Sequence, residues 1–181
     1  MYKTLFEINL PGLKAKINWS GVIGLGIIGL ILLVIMVGFK DIGFGSAFFG
    51  ALVGAILHYG LIILHQTGHA IAARQTGYPM AFTRSFWLLS ASVYPRDEPE
   101  LPAEVHIKRA LGGQYFSFPI FLIAVVVAQA ILPDHSVKGV LAVFFLIDAG
   151  MFTFVALLPT PFIELDGTTI MRWWPKRGQT P

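Results

Sequence analysis

Residues 43–73 read GFGSAFFGALVGAILHYGLIILHQTGHAIAA, an apolar run that carries three histidines, His58, His65 and His69. At a rise of ~1.5 Å per residue, a helix over this run is longer than the roughly 30 Å hydrocarbon core of a bilayer. Ionisable groups inside a membrane span are costly and mark functional sites by default. The run therefore predicts a transmembrane helix that carries chemistry.

Three further apolar runs flank this one, at residues 21–39, 113–132 and 139–158, and the last continues through a proline-containing break to end near Trp173. Hydrophobic residues form 55% of the 181-residue chain and charged residues only 13%. Soluble domains carry roughly 25% charged residues, and disordered chains need low hydrophobicity, so both classes are excluded. We expect an all-α polytopic membrane protein with about four transmembrane helices.

The stretch between the second and third runs is polar. Residues 80–94 are rich in Phe, Trp, Thr, Ser and Val, which favours a short membrane-associated β region. An acidic, proline-broken linker follows at 95–102, and residues 104–111 predict an amphipathic helix that leads into the third span. The predicted organisation is a cytoplasmic N-terminal segment, 1–20, a single transmembrane domain, 21–173, and a C-terminal tail, 174–181.

Basic residues predict the orientation of the spans. Of the 13 Lys and Arg residues, all but Lys40 and Lys138 fall before the first span, between the second and third, or after the fourth. Because Lys and Arg accumulate in cytoplasmic loops, this asymmetry predicts four crossings with both termini in the cytoplasm. We expect a multi-pass protein of the cell membrane whose net charge of +3 reflects topology rather than nucleic-acid binding.

The strongest local signal is the pair His65 and His69. Histidines at i and i+4 project from the same face of a helix, where two imidazoles can bind one zinc ion at ~2.0–2.1 Å. Asp166, in the interrupted end of the last apolar run, is the natural third ligand. The chain contains no cysteine, which excludes thiolate sites. The simpler alternative is that the two histidines form a packing or hydrogen-bonding pair. This interpretation is less favoured inside a membrane, because neutral histidines still need hydrogen-bond partners there.

Three segments resemble the motifs of one family. Residues 65–74, HQTGHAIAAR, resemble the H-E-x-x-H-A-x-x-A-[KR] segment of the site-2 protease family of intramembrane zinc metallopeptidases. Residues 165–167, LDG, after 157–159, LLP, resemble its N-x-x-P and L-D-G segment, and residues 110–118, ALGGQYFSF, resemble the segment that opens its intervening span. The β region also falls where this family has one.

The resemblance implies that His65, His69 and Asp166 are zinc ligands. In the family, the glutamate after the first histidine is the general base, but here that position is Gln66, whose carboxamide does not accept a proton at neutral pH. Loss of a general base typically lowers the rate by ~10²–10⁴-fold. The chain is therefore either a natural pseudoprotease or a variant engineered to trap a substrate, and we expect it to be inactive or weakly active.

Two further positions depart from the family pattern. The asparagines that the resemblance assigns to holding the substrate backbone are replaced by Ser117 and Ala156. Three changes at separate polar positions favour natural drift away from proteolysis over a single laboratory substitution.

Three ionisable residues remain as a possible surrounding shell. Glu164 is either a substitute base or a surface carboxylate near Arg172. His58 lies ~10.5 Å along the helix from His65, too far to ligate the same ion, and is predicted to line a water path, to pair with Asp148, or to be a hydrogen-bonded core histidine. Asp148 is expected to pair with a polar group across the bundle.

Two other readings compete with the enzyme. A haem protein with two axial histidines is disfavoured, because all three span histidines lie on one helix, although one of them could ligate a pigment or one haem face. The other reading is a non-catalytic subunit or scaffold that binds transmembrane helices within a larger membrane complex. In either the protease or the scaffold reading, the expected partners are a transmembrane-helix substrate or partner protein and the lipid bilayer.

Overall fold

The computed structural model describes residues 3–132 and 135–179. Within them the chain forms strands and helices in the order β1 (Thr4–Leu10), β2 (Leu13–Asn18), α1 (Trp19–Val34), α2 (Phe44–Gln75), β3 (Phe82–Phe86), β4 (Leu89–Val93), α3 (Ala103–Leu111), α4 (Gln114–Ile131), α5 (Val137–Thr153) and α6 (Asp166–Trp173). A π-helical turn extends α1 to Phe39, and short 3₁₀ turns follow α5 at Val155–Leu157 and α6 at Trp174–Lys176.

Four helical segments of the described chain are long and apolar enough to cross a membrane, as the sequence predicts: Trp19–Phe39, Phe44–Gln75, Ala103–Ile131 and Val137–Leu157. The end of the fourth is interrupted, as the sequence predicts. The chain leaves helical geometry after Leu157, resumes it at Asp166 and ends the last α-helix at Trp173. Pro159 and Pro161 lie in this interval, where each removes a backbone N–H that a continuous helix would need.

The sheet is larger than the sequence predicts. The expected strands between the second and third spans are β3 and β4, but β1 and β2, from the predicted N-terminal segment, join them in the order β1-β2-β3-β4. The outer pairs are antiparallel, and β2 runs parallel to β3 through Ala15 opposite Thr83 and Lys16 opposite Arg84. The sheet is therefore mixed, with β4 as the edge strand next to α2.

Small residues let the helices pack closely. On α2, a Cβ added to Gly54 would lie 2.3 Å from the Leu32 side chain of α1, and one added to Gly68 would lie 2.2 Å from the Gly112 carbonyl oxygen. The first contact joins α1 to α2, and the second brings α2 onto the junction of α3 and α4. Glycine at both positions thus sets the distance between the helices that surround His65 and His69.

The histidine pair lies towards the sheet end of the helical bundle. The Tyr59 hydroxyl donates a hydrogen bond to the Gly21 carbonyl, so the first turn of α1 is level with Tyr59 of α2. His65 is six residues further along α2, which corresponds to about 9 Å. The pair therefore lies beyond the first turn of α1, on the side where the strands are.

Candidate metal centre

Three side chains from two distant segments converge at one point. His65 and His69 are one turn apart on α2, both are buried, and their Nε2 atoms are 3.0 Å apart. Asp166, the first residue of α6, places Oδ2 3.3 Å from Nε2 of His65 and 3.4 Å from Nε2 of His69. In the described residues these three form the one group of His, Cys, Asp or Glu side chains arranged to hold a metal ion.

The break before α6 brings Asp166 to the histidines. Thr160 and Thr168 close the loop, since the Thr160 N–H donates to Thr168 Oγ1 at 2.9 Å and the Thr168 hydroxyl donates to the Thr160 carbonyl at 3.2 Å. A Cβ on Gly167 would lie 1.9 Å from the Leu157 carbonyl oxygen, so the backbone after Asp166 runs too close to the 3₁₀ turn for any other residue. The loop and the glycine together fix the start of α6 against α2.

The outer nitrogens of both imidazoles have hydrogen-bond partners. Nδ1 of His69 donates to the Arg109 carbonyl at 2.8 Å, so Nε2 of a neutral His69 presents a lone pair to Asp166. Nδ1 of His65 is 2.7 Å from the Ser117 hydroxyl, and the ring lies against Gly113, where a Cβ would be 2.3 Å from its Cε1 atom. Such outer partners orient the rings of metal-binding histidines and set their tautomers.

The three donor atoms fit a zinc ion. In a tetrahedron with bonds of ~2.0–2.1 Å, neighbouring ligand atoms are about 3.3 Å apart. The observed separations are 3.0, 3.3 and 3.4 Å. Oδ2 of Asp166 is buried and has no hydrogen-bond partner among the described residues, although a buried carboxylate oxygen normally has one. A cation between this oxygen and the two nitrogens would satisfy all three, with one coordination position left open.

Gln66, at the position where the resemblance expects a general base, is hydrogen-bonded to the edge strand β4. Its side chain is buried, Nε2 donates to the Ser90 carbonyl at 3.3 Å, and Oε1 accepts from the Ser92 hydroxyl at 2.9 Å. Both ends of the amide are therefore engaged with β4. A glutamate here could not donate to the Ser90 carbonyl when ionised, so the local surroundings suit an amide.

The other predicted site residues lie in three different places. Ser117 is buried, and its hydroxyl contacts the imidazole ring of His65. Ala156 lies in the 3₁₀ turn after α5. Glu164 forms an exposed ion pair with Arg172 at 2.7 Å and does not join the metal group.

His58 and Asp148 form a separate buried pair. Nδ1 of His58 is 3.0 Å from both oxygens of Asp148, and its Nε2 is 3.0 Å from the Leu88 carbonyl oxygen. This pair joins α2, α5 and the turn between β3 and β4. The Phe152 ring packs against the rings of both His58 and His65 and so connects this pair to the candidate metal centre.

Sequence reasoning missed the polar residues that support the site from β4, from the linker after it and from α3. They are Ser90 and Ser92 of β4, Tyr94 and Glu98 of the linker, and Arg109 of α3. Burial raises the pKa of Tyr94 to about 12, against the opposing charge of Arg109, so its hydroxyl stays protonated at neutral pH. The amphipathic pattern of residues 104–111 signalled a helix here, but nothing in it signalled that Arg109 would point inward.

Comparison with known proteins supports the fold. No protein-family model and no curated protein matches the chain. Among solved structures, the chain resembles a site-2 protease from Methanocaldococcus jannaschii, with a TM-score of 0.57 over 96% of this chain and 74% of that one. The two sequences are 19% identical. The chain therefore has a protease-like membrane fold similar to that of a site-2 protease.

Proposed function

We propose that this chain is a site-2-protease-like membrane zinc protein, with His65, His69 and Asp166 as the metal ligands and little or no proteolytic activity. The observation that carries the metal assignment is the position of Oδ2 of Asp166, a buried oxygen without a well-formed hydrogen bond that lies at zinc-ligand spacing from two imidazole nitrogens. The similarity to a solved site-2 protease supports the choice of zinc, because that family consists of zinc metallopeptidases.

The chemistry of the site is limited by its own residues. Zinc, when bound, supplies a Lewis acid that polarises a carbonyl group. Ser117 and the Arg109 carbonyl orient the two histidine rings, and both rings are buried. Hydrolysis also needs a group that takes a proton, and Gln66 offers only an amide already bonded to β4. The site is therefore better suited to binding than to cleavage.

The expected ligand of this fold is an apolar segment of another membrane protein. An apolar groove of about 580 Å³ includes Gly167, the neighbour of Asp166, in its lining. The other lining residues are Leu111, Leu157, Pro159, Ile170, Met171, Trp174 and Pro175. Phe162, in the loop before α6, is 93% exposed. We propose a transmembrane segment as the partner, in a cell membrane with both termini cytoplasmic.

The geometry does not suit a haem with two histidine ligands. Such ligands approach the iron from opposite faces of the ring, whereas the Nε2 atoms of His65 and His69 are 3.0 Å apart on one side.

A cleavage assay with a transmembrane substrate tests the proposal. We expect almost no product from the chain itself and a gain well below ~10²-fold from Gln66→Glu, because that change breaks the bond to Ser90 and leaves Ser117 and Ala156 unaltered. Gln75→Glu, at the exposed end of the same helix, is the matched control. Robust cleavage by the unmodified chain that is lost in Glu164→Gln would contradict the proposal and make Glu164 the base.

A further inference from the structure

Arg109 is a buried arginine whose side chain contacts the segment between α2 and α3. It is 3% exposed, and its guanidinium makes a two-point contact with Glu98, with Nη1 3.1 Å from Oε2 and Nη2 2.5 Å from Oε1. Nη2 also donates to the Tyr78 carbonyl, and the group stacks on the Tyr94 ring at 4.0 Å. Two-point arginine–carboxylate contacts are strong and directional, so Arg109 is firmly tied to the 76–102 segment.

The backbone of the same residue contacts a metal ligand. The Arg109 carbonyl accepts the hydrogen bond from Nδ1 of His69 at 2.8 Å, and it also accepts from the Gly112 N–H at 3.1 Å. It lies at the last turn of α3, where carbonyl groups lack the partners that the helix interior supplies. The position of this carbonyl depends on how the end of α3 is held.

Glu98 belongs to a segment with little regular structure to hold it. Residues 94–102 form neither helix nor strand, and prolines 95, 99 and 102 remove three backbone donors from it. Leu101 is buried, but most residues between 95 and 100 are exposed. Glu98 is the exception, with a side chain 17% exposed, and it is therefore the main polar attachment of this linker to α3.

We propose that the Glu98–Arg109 ion pair is a latch that positions His69, so that the conformation of the 95–102 linker sets the affinity of the site for its metal. The inference rests on the proposed zinc site, and Glu98 and Arg109 act as positioning residues that touch neither metal nor substrate. A partner that draws Glu98 out of the pair would loosen the end of α3, and His69 would lose the fixed acceptor for its Nδ1 proton.

The test compares Glu98→Gln with Glu100→Gln, which removes the same charge from an exposed position two residues away. The first readout is the zinc dissociation constant from competition with a chelator. We expect Glu98→Gln to raise it about 10-fold, the lower end of the effect of removing an outer partner of a metal ligand, and Glu100→Gln to leave it within about 2-fold. The double variant Glu98→Gln/Arg109→Gln avoids an isolated buried charge. It should lose as much zinc affinity as Glu98→Gln alone, and not twice as much.

The second readout needs no metal. In metal-free protein labelled with ¹⁵N-histidine, the ring signals of His69 should report one tautomer with a proton on Nδ1, and Glu98→Gln should broaden or shift them while the His58 signals stay unchanged. A merely structural role would lower the unfolding temperature without this selective change. If Glu98→Gln binds zinc as tightly as the unmodified chain and its His69 signals are unchanged, the proposed latch is wrong. If no form of the protein binds zinc but the His69 signals still change in Glu98→Gln, only the metal site is wrong.

Discussion

At the scale of single residues, Ser117 shows how the surroundings of a side chain decide its role. The motif resemblance places it where a substrate-holding asparagine is expected, yet its hydroxyl is 2.7 Å from Nδ1 of His65 and the residue is buried. A hydroxyl is short enough to reach this nitrogen without displacing the ring. In an asparagine, a carbon atom takes the place of this oxygen, and a carbon as close to the nitrogen would force the ring or the side chain to shift.

Substitution of Ser117 should therefore change metal binding. We predict that Ser117→Ala raises the zinc dissociation constant about 10-fold, because His65 loses the partner that orients its ring, and that Ser117→Thr, which keeps the hydroxyl, preserves most of the affinity. Ser117→Asn should weaken binding rather than restore a substrate clamp. Chelator competition measures all three, and tighter zinc binding by Ser117→Asn would show that the residue does not orient His65.

The sequence predicts that His65, His69 and Asp166 lie together, but it does not predict the residues that support them. His65 and His69 are four positions apart on a helix, so their proximity follows from helical geometry alone. Asp166 is an ionisable residue in an interrupted apolar run, which favours a functional role, and in the structure it lies beside the pair. The partners of Gln66 and His69 come from β4 and α3, and no local pattern encodes contacts made between distant segments.

At the scale of elements, the turn between β3 and β4 is pressed against α1. Trp87, in this turn, has a positive φ of 52°, and a Cβ on Gly24 of α1 would lie 2.1 Å from its carbonyl oxygen. The Leu88 carbonyl in the same turn is also 3.0 Å from Nε2 of His58. Helix and turn thus meet through backbone atoms, which cannot yield as a flexible side chain can.

A pair of glycine substitutions on α1 tests this contact. Gly26→Ala should stabilise the protein or leave it unchanged, because alanine is favoured over glycine in a helix by ~1 kcal/mol and its Cβ would meet no described atom within 4 Å. Gly24→Ala makes the same chemical change against the Trp87 backbone and should lower the unfolding temperature. Equal unfolding temperatures of the two variants in detergent would contradict the close packing of this turn.

The N-terminal strands are the element that sequence reading missed. Residues 1–20 have a mixed composition because β1 is largely exposed and both strands carry charged residues, such as Glu7, Lys14 and Lys16, although Leu13, Ala15 and Asn18 of β2 are buried. Pro11 and Gly12 offered a turn signal, with Gly12 at a φ of 84°. The decisive contact, β2 beside β3, joins segments separated by two long apolar helices, and a pattern within one segment does not reveal it.

At the scale of the whole molecule, strand pairing and helix contacts agree with the predicted number of crossings. Because β2 pairs with β3, the chain before α1 and the chain after α2 lie at the same end of the helical bundle. The Gly178 N–H donates to Glu104 at 2.7 Å, so the chain after α6 is also on the side of α3. Both contacts require an even number of crossings between the paired segments, which is the pattern that the basic residues predict.

Cysteine labelling tests the orientation, since the chain has no native cysteine. We predict that Asp97→Cys and Arg177→Cys react with a membrane-impermeant thiol reagent only after the cell membrane has been permeabilised, so that the reagent reaches the cytoplasm. His135→Cys, between α4 and α5, should react in intact cells. The reverse pattern would invert the topology, and labelling of Asp97→Cys and Arg177→Cys from opposite sides would contradict the four-crossing arrangement.

The most direct test of the central claim is X-ray absorption at the zinc edge on purified protein, together with the zinc-to-protein ratio. We predict one zinc ion per chain with nitrogen and oxygen ligands only, two of them imidazoles. Stoichiometric zinc should be lost in His65→Ala and in Asp166→Ala but retained in His58→Ala, whose histidine contacts Asp148 instead. Protein that binds no zinc, or zinc retained equally by all three variants, would contradict a metal centre formed by His65, His69 and Asp166.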